Sequence, residues 1–422
     1  MRKIITLALL STLILACEQI PRNKDATLTS REAYQDYLRK HPYNNYKPSA
    51  EELQAMPKAD RPDLAWRQNF LATMHPELKR PTPEVLLPTL KRLAQQRLTK
   101  GKTPGDQQSP WVERGPNNIA GRSRALAFDP ADASGKRVFA GGVSGGLWLN
   151  TNIYDGNTQW QAIDNFWANL SVSAIAFDPA DPDIIYVGTG EGWGIGFSGQ
   201  QGTGIFKSTD GGQTFNLLSA STGFLFVNDL VVRREGNQSV LYAGVDRSGF
   251  TIEGLQRSTD GGQSFTRVVN RPIADLEIGP DNRLWLGTIN SPNITNGGGR
   301  ILYTRNGSNF VTSYSSNFDR IKLATAPSDT NYLYAIVENS GQANRIIMSN
   351  NGGQTWITRN KPNDADPGIP SGDFTRGQAW SDLSLAVDPN DPTQLLAGGI
   401  DLFASRDSAG TWRQLSHWFG GF

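Results

Sequence analysis

Ser208-Thr209-Asp210-Gly211-Gly212-Gln213-Thr214-Phe215 is one of four copies of a short pattern, and its recurrence decides the fold. The others are Ser258-Thr259-Asp260-Gly261-Gly262-Gln263-Ser264-Phe265, Ser349-Asn350-Asn351-Gly352-Gly353-Gln354-Thr355-Trp356 and Ser405-Arg406-Asp407-Ser408-Ala409-Gly410-Thr411-Trp412. Their common frame, Ser-x-Asp/Asn-x-Gly-x-Thr/Ser-aromatic, is the chemistry of a β-hairpin turn. A short acid or amide bonds the backbone amides that follow it, glycine supplies φ > 0, and the hydroxyls close smaller turns. The aromatic opens the next strand and lays apolar surface over the turn. Two positions depart from the frame. Asn351 replaces the acid, and Ala409 replaces a glycine, so the last turn is expected to be strained or shifted by a residue.

Recurrence at steps of about fifty residues implies a repeat of small antiparallel sheets, an all-β propeller of four-stranded blades. Short apolar runs before Pro turns mark inner strands. Ala125-Leu126-Ala127-Phe128 precedes Asp129-Pro130, and Ala174-Ile175-Ala176-Phe177 precedes Asp178-Pro179. Further inner strands are expected near residues 229–232, 274–278, 321–324 and 383–387, each buried on both faces. Second strands should end at Val143, Gly190, Val245, Ile289, Glu338 and Gly398. Degenerate turns at Thr304-Arg305-Asn306-Gly307 and Asn150-Thr151-Asn152 complete six blades. Trp160 stands fourteen residues before Ala174 and Phe215 fourteen before Asp229; Trp111 stands fourteen before Ala125. Trp111-Val112-Glu113-Arg114 therefore reads as a fourth strand too; either it closes a six-bladed ring in some other way or, the favoured expectation, the propeller, residues 111–422, is incomplete at its C-terminus, with seven or more blades in the full product.

On these turns the chain resembles the Asp-box (BNR) β-propellers, among them sialidases, xyloglucanase-type glycoside hydrolases, sortilin-like ectodomains and the photosystem II assembly factor. The resemblance spans roughly residues 111–422 and speaks for the fold more than for a function, because the box is structural throughout the family. Gly121-Arg122-Ser123-Arg124 with Gly145-Gly146-Leu147-Trp148, and Gly188-Thr189-Gly190-Glu191-Gly192-Trp193, resemble the sortilin-type repeats of secreted bacterial proteins. The hydrolase members imply catalytic carboxylates. Val143 stands where xyloglucanase-type enzymes carry the acid of their first blade. Arg122 and Arg124 could serve a sialidase-type arginine triad, but its Arg-Ile-Pro and Tyr-Glu elements are not found.

The N-terminus carries a second signal. Arg2-Lys3 precedes an apolar run from Ile4 to Ala16, a short bacterial signal peptide over residues 1–16. Ile14-Leu15-Ala16-Cys17 resembles a lipobox, and Cys17 is the one cysteine of the chain, so no disulfide holds the fold. The same run also suits an ordinary signal peptide with an incidental cysteine, in which case the protein is secreted. Acylated, Cys17 would hold the protein in the bacterial cell envelope, each buried CH₂ contributing about 0.8 kcal/mol. Residues 17–110 read as tether, helical segment and linker, with capping boxes at Thr29-x-x-Glu32 and Ser49-x-x-Glu52.

The chain has 41 basic and 40 acidic residues; loss of Arg2 and Lys3 leaves 39 against 40. A neutral chain offers nucleic acid no electrostatic footing. Its three histidines, His41, His75 and His417, lack metal-ligand spacing, and neither metal nor cofactor is implied. Aligning the second-strand ends places Glu191, Asp246, Asn290, Glu338 and Asp401 around one mouth, with Trp193 and Phe197 in the adjoining loop. These are the candidate ligand-binding residues, and the four acids are the catalytic candidates. Mutual repulsion among them is expected to raise at least one pKa. The same acids could instead cap their own loops. The favoured reading is a monomeric, membrane-anchored propeller that binds an extracellular polypeptide or glycan on the face opposite the turns; the alternative is a glycoside hydrolase with paired carboxylates at the mouth.

If Cys17 is the lipid attachment point, Cys17→Ser moves the protein from the membrane to the soluble fraction on cell fractionation. Unchanged membrane association would contradict the anchor.

Overall fold

The computed structural model describes residues 122–163, 170–192, 199–246 and 252–418, together with Lys40, Ser49, Pro88, Thr89 and Arg92. Of the expected N-terminal helices, only Lys40, Pro88, Thr89 and Arg92 are described, and these four are helical. The expected signal peptide, Cys17 and residues 111–121 lie outside the described residues. No helix among the described residues is long and apolar enough to cross a membrane.

The described chain forms six four-stranded antiparallel sheets, each an up-and-down meander in sequence order. The inner strands are Ser123–Phe128, Val172–Asp178, Phe226–Glu235, Ile273–Ile278, Arg320–Thr325 and Ser384–Val387. The second strands end at Gly142, Thr189, Asp246, Thr288, Asn339 and Gly398, within a residue or so of the positions read from the sequence. Among the described residues from 122 to 418, helix is limited to a 3-10 turn, Ser219–Ser221, and the short helix Ala379–Asp382 that leads into the sixth inner strand.

The core lies between blades. Five apolar clusters fill the five interfaces between consecutive sheets, and the aromatic of each repeat turn joins the cluster its blade shares with the blade before it. Phe215 packs with Phe139, Leu147 and Ile185, and Trp356 with Trp285 and Ile301. The expectation that inner strands are buried on both faces holds in the middle of the series, where residues 273–276 are all buried. It fails at the ends: Ser123, Leu126 and Phe128 of the first inner strand and Ser384 and Ala386 of the sixth are exposed.

The repeat turns close as their chemistry requires. Asp210 Oδ1 accepts Gln213 N at 3.0 Å and Thr214 N at 2.9 Å, and Ser208 Oγ accepts Gly212 N at 2.9 Å. Hydrogen bonds from Thr214 and Ser208 hold the Asp210 pKa down at about 2. The Ser258, Asp260 and Gly262 turn repeats this set. Asn351 does the acid's work with its amide: Oδ1 accepts Thr355 N at 3.0 Å, and Nδ2 donates to Thr355 Oγ1 at 2.7 Å. The last turn is not shifted. Ala409 N donates to Ser405 Oγ at 3.0 Å and Thr411 N to Asp407 Oδ1 at 2.8 Å. The departure from glycine appears instead as strain, with Ser408 at φ 58° and Ala409 at φ 61°.

These turns also bind blade to blade. Gly212 and Gly353 lie so close to the preceding blade that a Cβ would fall 2.9 Å from Phe139 and 2.4 Å from Trp285. One carbonyl of each turn accepts a cation from the blade before it: Arg137 to Gly211 O at 2.9 Å, Lys207 to Gly261 O at 3.2 Å, Arg283 to Gly352 O at 2.8 Å and Arg359 to Ser408 O at 2.6 Å. At the inner strands, Asp229 Oδ2 accepts Leu276 N at 2.7 Å and Asp275 Oδ2 accepts Leu323 N at 2.6 Å, again from one blade to the next.

Asp210→Ala removes an acceptor that satisfies two backbone amides and should cost about 1–3 kcal/mol. Ser408→Gly should stabilise by about 1 kcal/mol, because glycine takes positive φ without the Cβ penalty. Chemical denaturation reads both; a Ser408→Gly midpoint at or below that of the parent would contradict the strain assignment.

Candidate functional site

The inner strands begin, and the second strands end, at one rim. Arg320 opens the fifth inner strand and pairs in register with Glu338 at the end of the second strand. Arg122 precedes the first inner strand, and Glu191 follows the second strand of the second blade, bridged to Gln200. Asp382 ends the short helix before the sixth inner strand.

Arginines organise this rim. Arg122, half exposed, donates through Nη2 to Oε2 of the buried Glu191. Arg124 donates to Ser381 O, and Arg320 to Trp380 O at 2.9 Å and Ala379 O at 3.3 Å. Two blades thus reach across to the last carbonyls of the Ala379–Asp382 helix, which have no partner further along the chain. Burial, reinforced by Arg320, lowers the Arg124 pKa to about 9, so it stays charged at neutral pH. Both Asp382 carboxylate oxygens are buried without a donor from another described residue. Burial pushes its pKa up to about 7 against the opposing pull of Arg320 and Arg124.

Glu338 Oε1 accepts Gly341 N at 2.6 Å, and burial raises its pKa. Loss of water is the largest cause at both carboxyls; repulsion adds to it, from Asp373 at Asp382 and from Asp319 at Glu338, and Arg320 works against it at both. Asp246 is fully buried at the end of its strand, and a Cβ on Gly192 would lie 3.1 Å from its Oδ2, so Asp246 and Glu191 belong to neighbouring corners of the rim.

Asn290 accepts Gly298 N at 2.8 Å and donates to Asp319 Oδ1 at 2.8 Å, and Asp319 N donates to Glu338 O at 3.0 Å, so Asn290 is tied to the Glu338 corner. Asp401 accepts Ser416 Oγ at 2.7 Å and Trp418 N at 3.1 Å. It joins Asp364 and Asp366 in a set whose ligand atoms lie within 4.8 Å of one another. Such oxygens suit a hard divalent cation, and His417 Nδ1 lies 2.7 Å from Asp366 Oδ1, a hydrogen bond that raises the histidine pKa. Trp193 and Phe197 lie outside the described residues.

Sequence reasoning missed Arg320 and Asp382 and weighed Arg122 and Arg124 only as a sialidase-type set. The arginines had a signal, since a cation at the start of a buried inner strand must find partners. Asp382 had none, because its place depends on a helix inserted ahead of the sixth blade.

No family model and no curated protein matches the sequence. Similarity is confined to solved structures. YCF48 bound to D1 peptide aligns at 13% identity and TM-score 0.44, over 70% of this chain and 80% of that one. The GH74 xyloglucanase from Xanthomonas campestris aligns at 17% and 0.43, over 69% of this chain; the chain spans about half of that enzyme, 52%. The WD40 β-propeller domain of Doa1 aligns at 12% and 0.45, over 70% and 83%.

Buried carboxyls give the fold a pH dependence. Asp382, and with it Asp229 and Glu277, have folded pKa values raised by burial above their unfolded ones. The folded state therefore holds more protons than the unfolded state from about pH 4 to about pH 8, and stability falls as pH rises through that window. Asp382→Asn should make the fall shallower and raise the melting temperature more at pH 8 than at pH 5. An equal gain at both would contradict the assignment.

Proposed function

We propose that the rim bearing Arg122, Glu191, Asp246, Arg320, Glu338 and Asp382 binds an extracytoplasmic polypeptide, and that the face of the repeat turns does not. The observation that carries this reading is the Arg122–Glu191 pair: a half-exposed guanidinium anchored on a buried carboxylate. A guanidinium held in this way is pre-oriented and still presents free N–H groups to water, suited to a peptide carbonyl or a carboxylate. On the turn face the acids of the repeat are taken up by their own backbone. The Asp-box resemblance and the acylation of Cys17 belong to the same reading, which places the propeller in the cell envelope on a lipid tether.

A second reading, glycoside hydrolysis, would take Asp382, whose pKa burial pushes up to about 7, as the general acid, and requires its buried carboxyl to open to substrate. Glu191 or Glu338 would then be its partner.

Capture of envelope polypeptides on immobilised protein discriminates the two. Arg122→Ala and Glu191→Ala should each weaken capture by about tenfold or more, as loss of a charge-assisted pair predicts, whereas Gln213→Ala on the turn face should leave it unchanged. Capture indifferent to both rim substitutions would remove the rim from consideration. Turnover of a plant or bacterial glycan that Asp382→Asn abolishes would establish the hydrolase instead.

A further inference from the structure

Three carboxylates meet at one corner of the sixth blade, brought there by two loops. Asp364 and Asp366 stand between the strand Ile357–Arg359 and the helix Ala379–Asp382, and Asp401 stands just before the third strand, Leu402–Ser405. They are 5%, 9% and 3% exposed, and one oxygen of each lies within 4.8 Å of the others. Like charges placed so close repel, and their withdrawal from water adds its own cost. Asp364 Oδ1 accepts Asp366 N at 2.9 Å and Gln414 Nε2 at 3.1 Å. That leaves Oδ2 as the atom Asp364 can offer, and Oδ2 is buried without a hydrogen bond from any described residue. Among the described residues no lysine or arginine bridges Asp364 or Asp401; the half-exposed His417 ring meets Asp366 Oδ1 instead. Burial raises the Asp364 pKa, with repulsion from Asp401 and Asp366 adding to it. A carboxylate oxygen buried among other carboxylates, with no donor of its own, calls for a ligand.

We propose that Asp364, Asp366 and Asp401 hold a Ca²⁺ ion that fastens the sixth blade. Two oxygens each about 2.4 Å from one Ca²⁺ stand at most about 4.8 Å apart, so three oxygens this close can share one ion. Mg²⁺, bound at about 2.1 Å in near-octahedral order, keeps several waters and takes one or two carboxylates, so three converging carboxylates favour Ca²⁺. The ion gives Asp364 Oδ2 its partner and turns repulsion among the three into shared attraction. Histidine spacing carried no sign of the site, because its ligands are carboxylates from separate loops. The ion would tie the loop ahead of the sixth inner strand to Asp401, which already holds Ser416 and Trp418 beyond the outer strand Arg413–Gln414. The sixth inner strand leaves Ser384 and Ala386 exposed, so a tether within the blade acts where packing between blades is least. The site shares no residue with the rim proposed to hold polypeptide, and its test is separate from that of the rim.

Calorimetric titration of the metal-free 422-residue chain with CaCl₂ tests the proposal. It expects one Ca²⁺ per chain, with a Kd between about 1 µM and about 1 mM, and weaker binding of MgCl₂. Asp364→Asn and Asp401→Asn, which keep side-chain size and remove a ligand charge, should each weaken Ca²⁺ binding by about tenfold or more. Should either amide disturb folding, a second measurement leaves all three carboxylates in place. Tb³⁺ in place of Ca²⁺ should emit when Trp418 is excited, since the Trp418 amide is bonded to Asp401. Trp418→Phe should then remove most of the emission and leave the CaCl₂ titration unchanged. Absence of Ca²⁺ binding, equal affinity for the two ions, binding unaltered by folded Asp364→Asn, or full Tb³⁺ emission from Trp418→Phe would each overturn the proposal.

Discussion

Each blade of this chain is apolar on both faces, and a blade with both faces wet could not repay the entropy of ordering its strands. The structure therefore depends on contact between consecutive blades, where burying each large apolar side chain contributes about 1.5–3 kcal/mol. The repeat turns serve that contact. Their glycines let the backbone lie against Phe139 or Trp285, their aromatics fill the same seam, and their carbonyls receive an arginine or lysine from the blade before. Arg283 shows the combination in one residue: it stacks over Trp285 at 5.0 Å while donating to Gly352 O. A turn that reads as a local hairpin device is thus half of an interface.

Blade number, strand order and the inner-strand positions were legible because they follow from local rules, a turn signature and an apolar run repeated in register. The fourth turn shows where local rules stop. Ala409 was expected to strain or shift it, and tertiary packing held the register and accepted positive φ at Ser408 and Ala409, with the Ala409 methyl buried in the last interface. The mouth was legible only in part. Strand ends located Glu191, Asp246 and Glu338, because second-strand ends share one rim. They could not say that Asp401 would turn toward Asp364 and Asp366, or that Asn290 would bond Asp319, since those outcomes depend on loop partners far along the chain. Asp382 lies on an inserted helix that breaks the repeat, and arguments from a repeat do not reach insertions.

At the rim, burial is the main cause that raises the carboxyls, and arginines oppose it. Arg124 and Arg320 clamp the Ala379–Asp382 helix from the first and fifth blades, so the carboxyl at its end is set by three blades at once. Arg122 remains turned toward solvent on its buried partner. Fixed charges on rigid strands favour recognition, because little side-chain freedom is lost when a ligand arrives. Burial brings the Asp382 carboxyl up to about 7, so its protonation changes near neutrality.

If contact between blades governs the fold, protection of backbone amides from hydrogen exchange should follow blade position in the 422-residue chain. The inner strands Phe226–Glu235, Ile273–Ile278 and Arg320–Thr325, covered on both sides, should exchange slowest and together. Ser123–Phe128 and Ser384–Val387, each covered on one side, should exchange faster although their ladders are complete. Uniform protection across all six inner strands would contradict the account, since the sheets would then be stable without their neighbours.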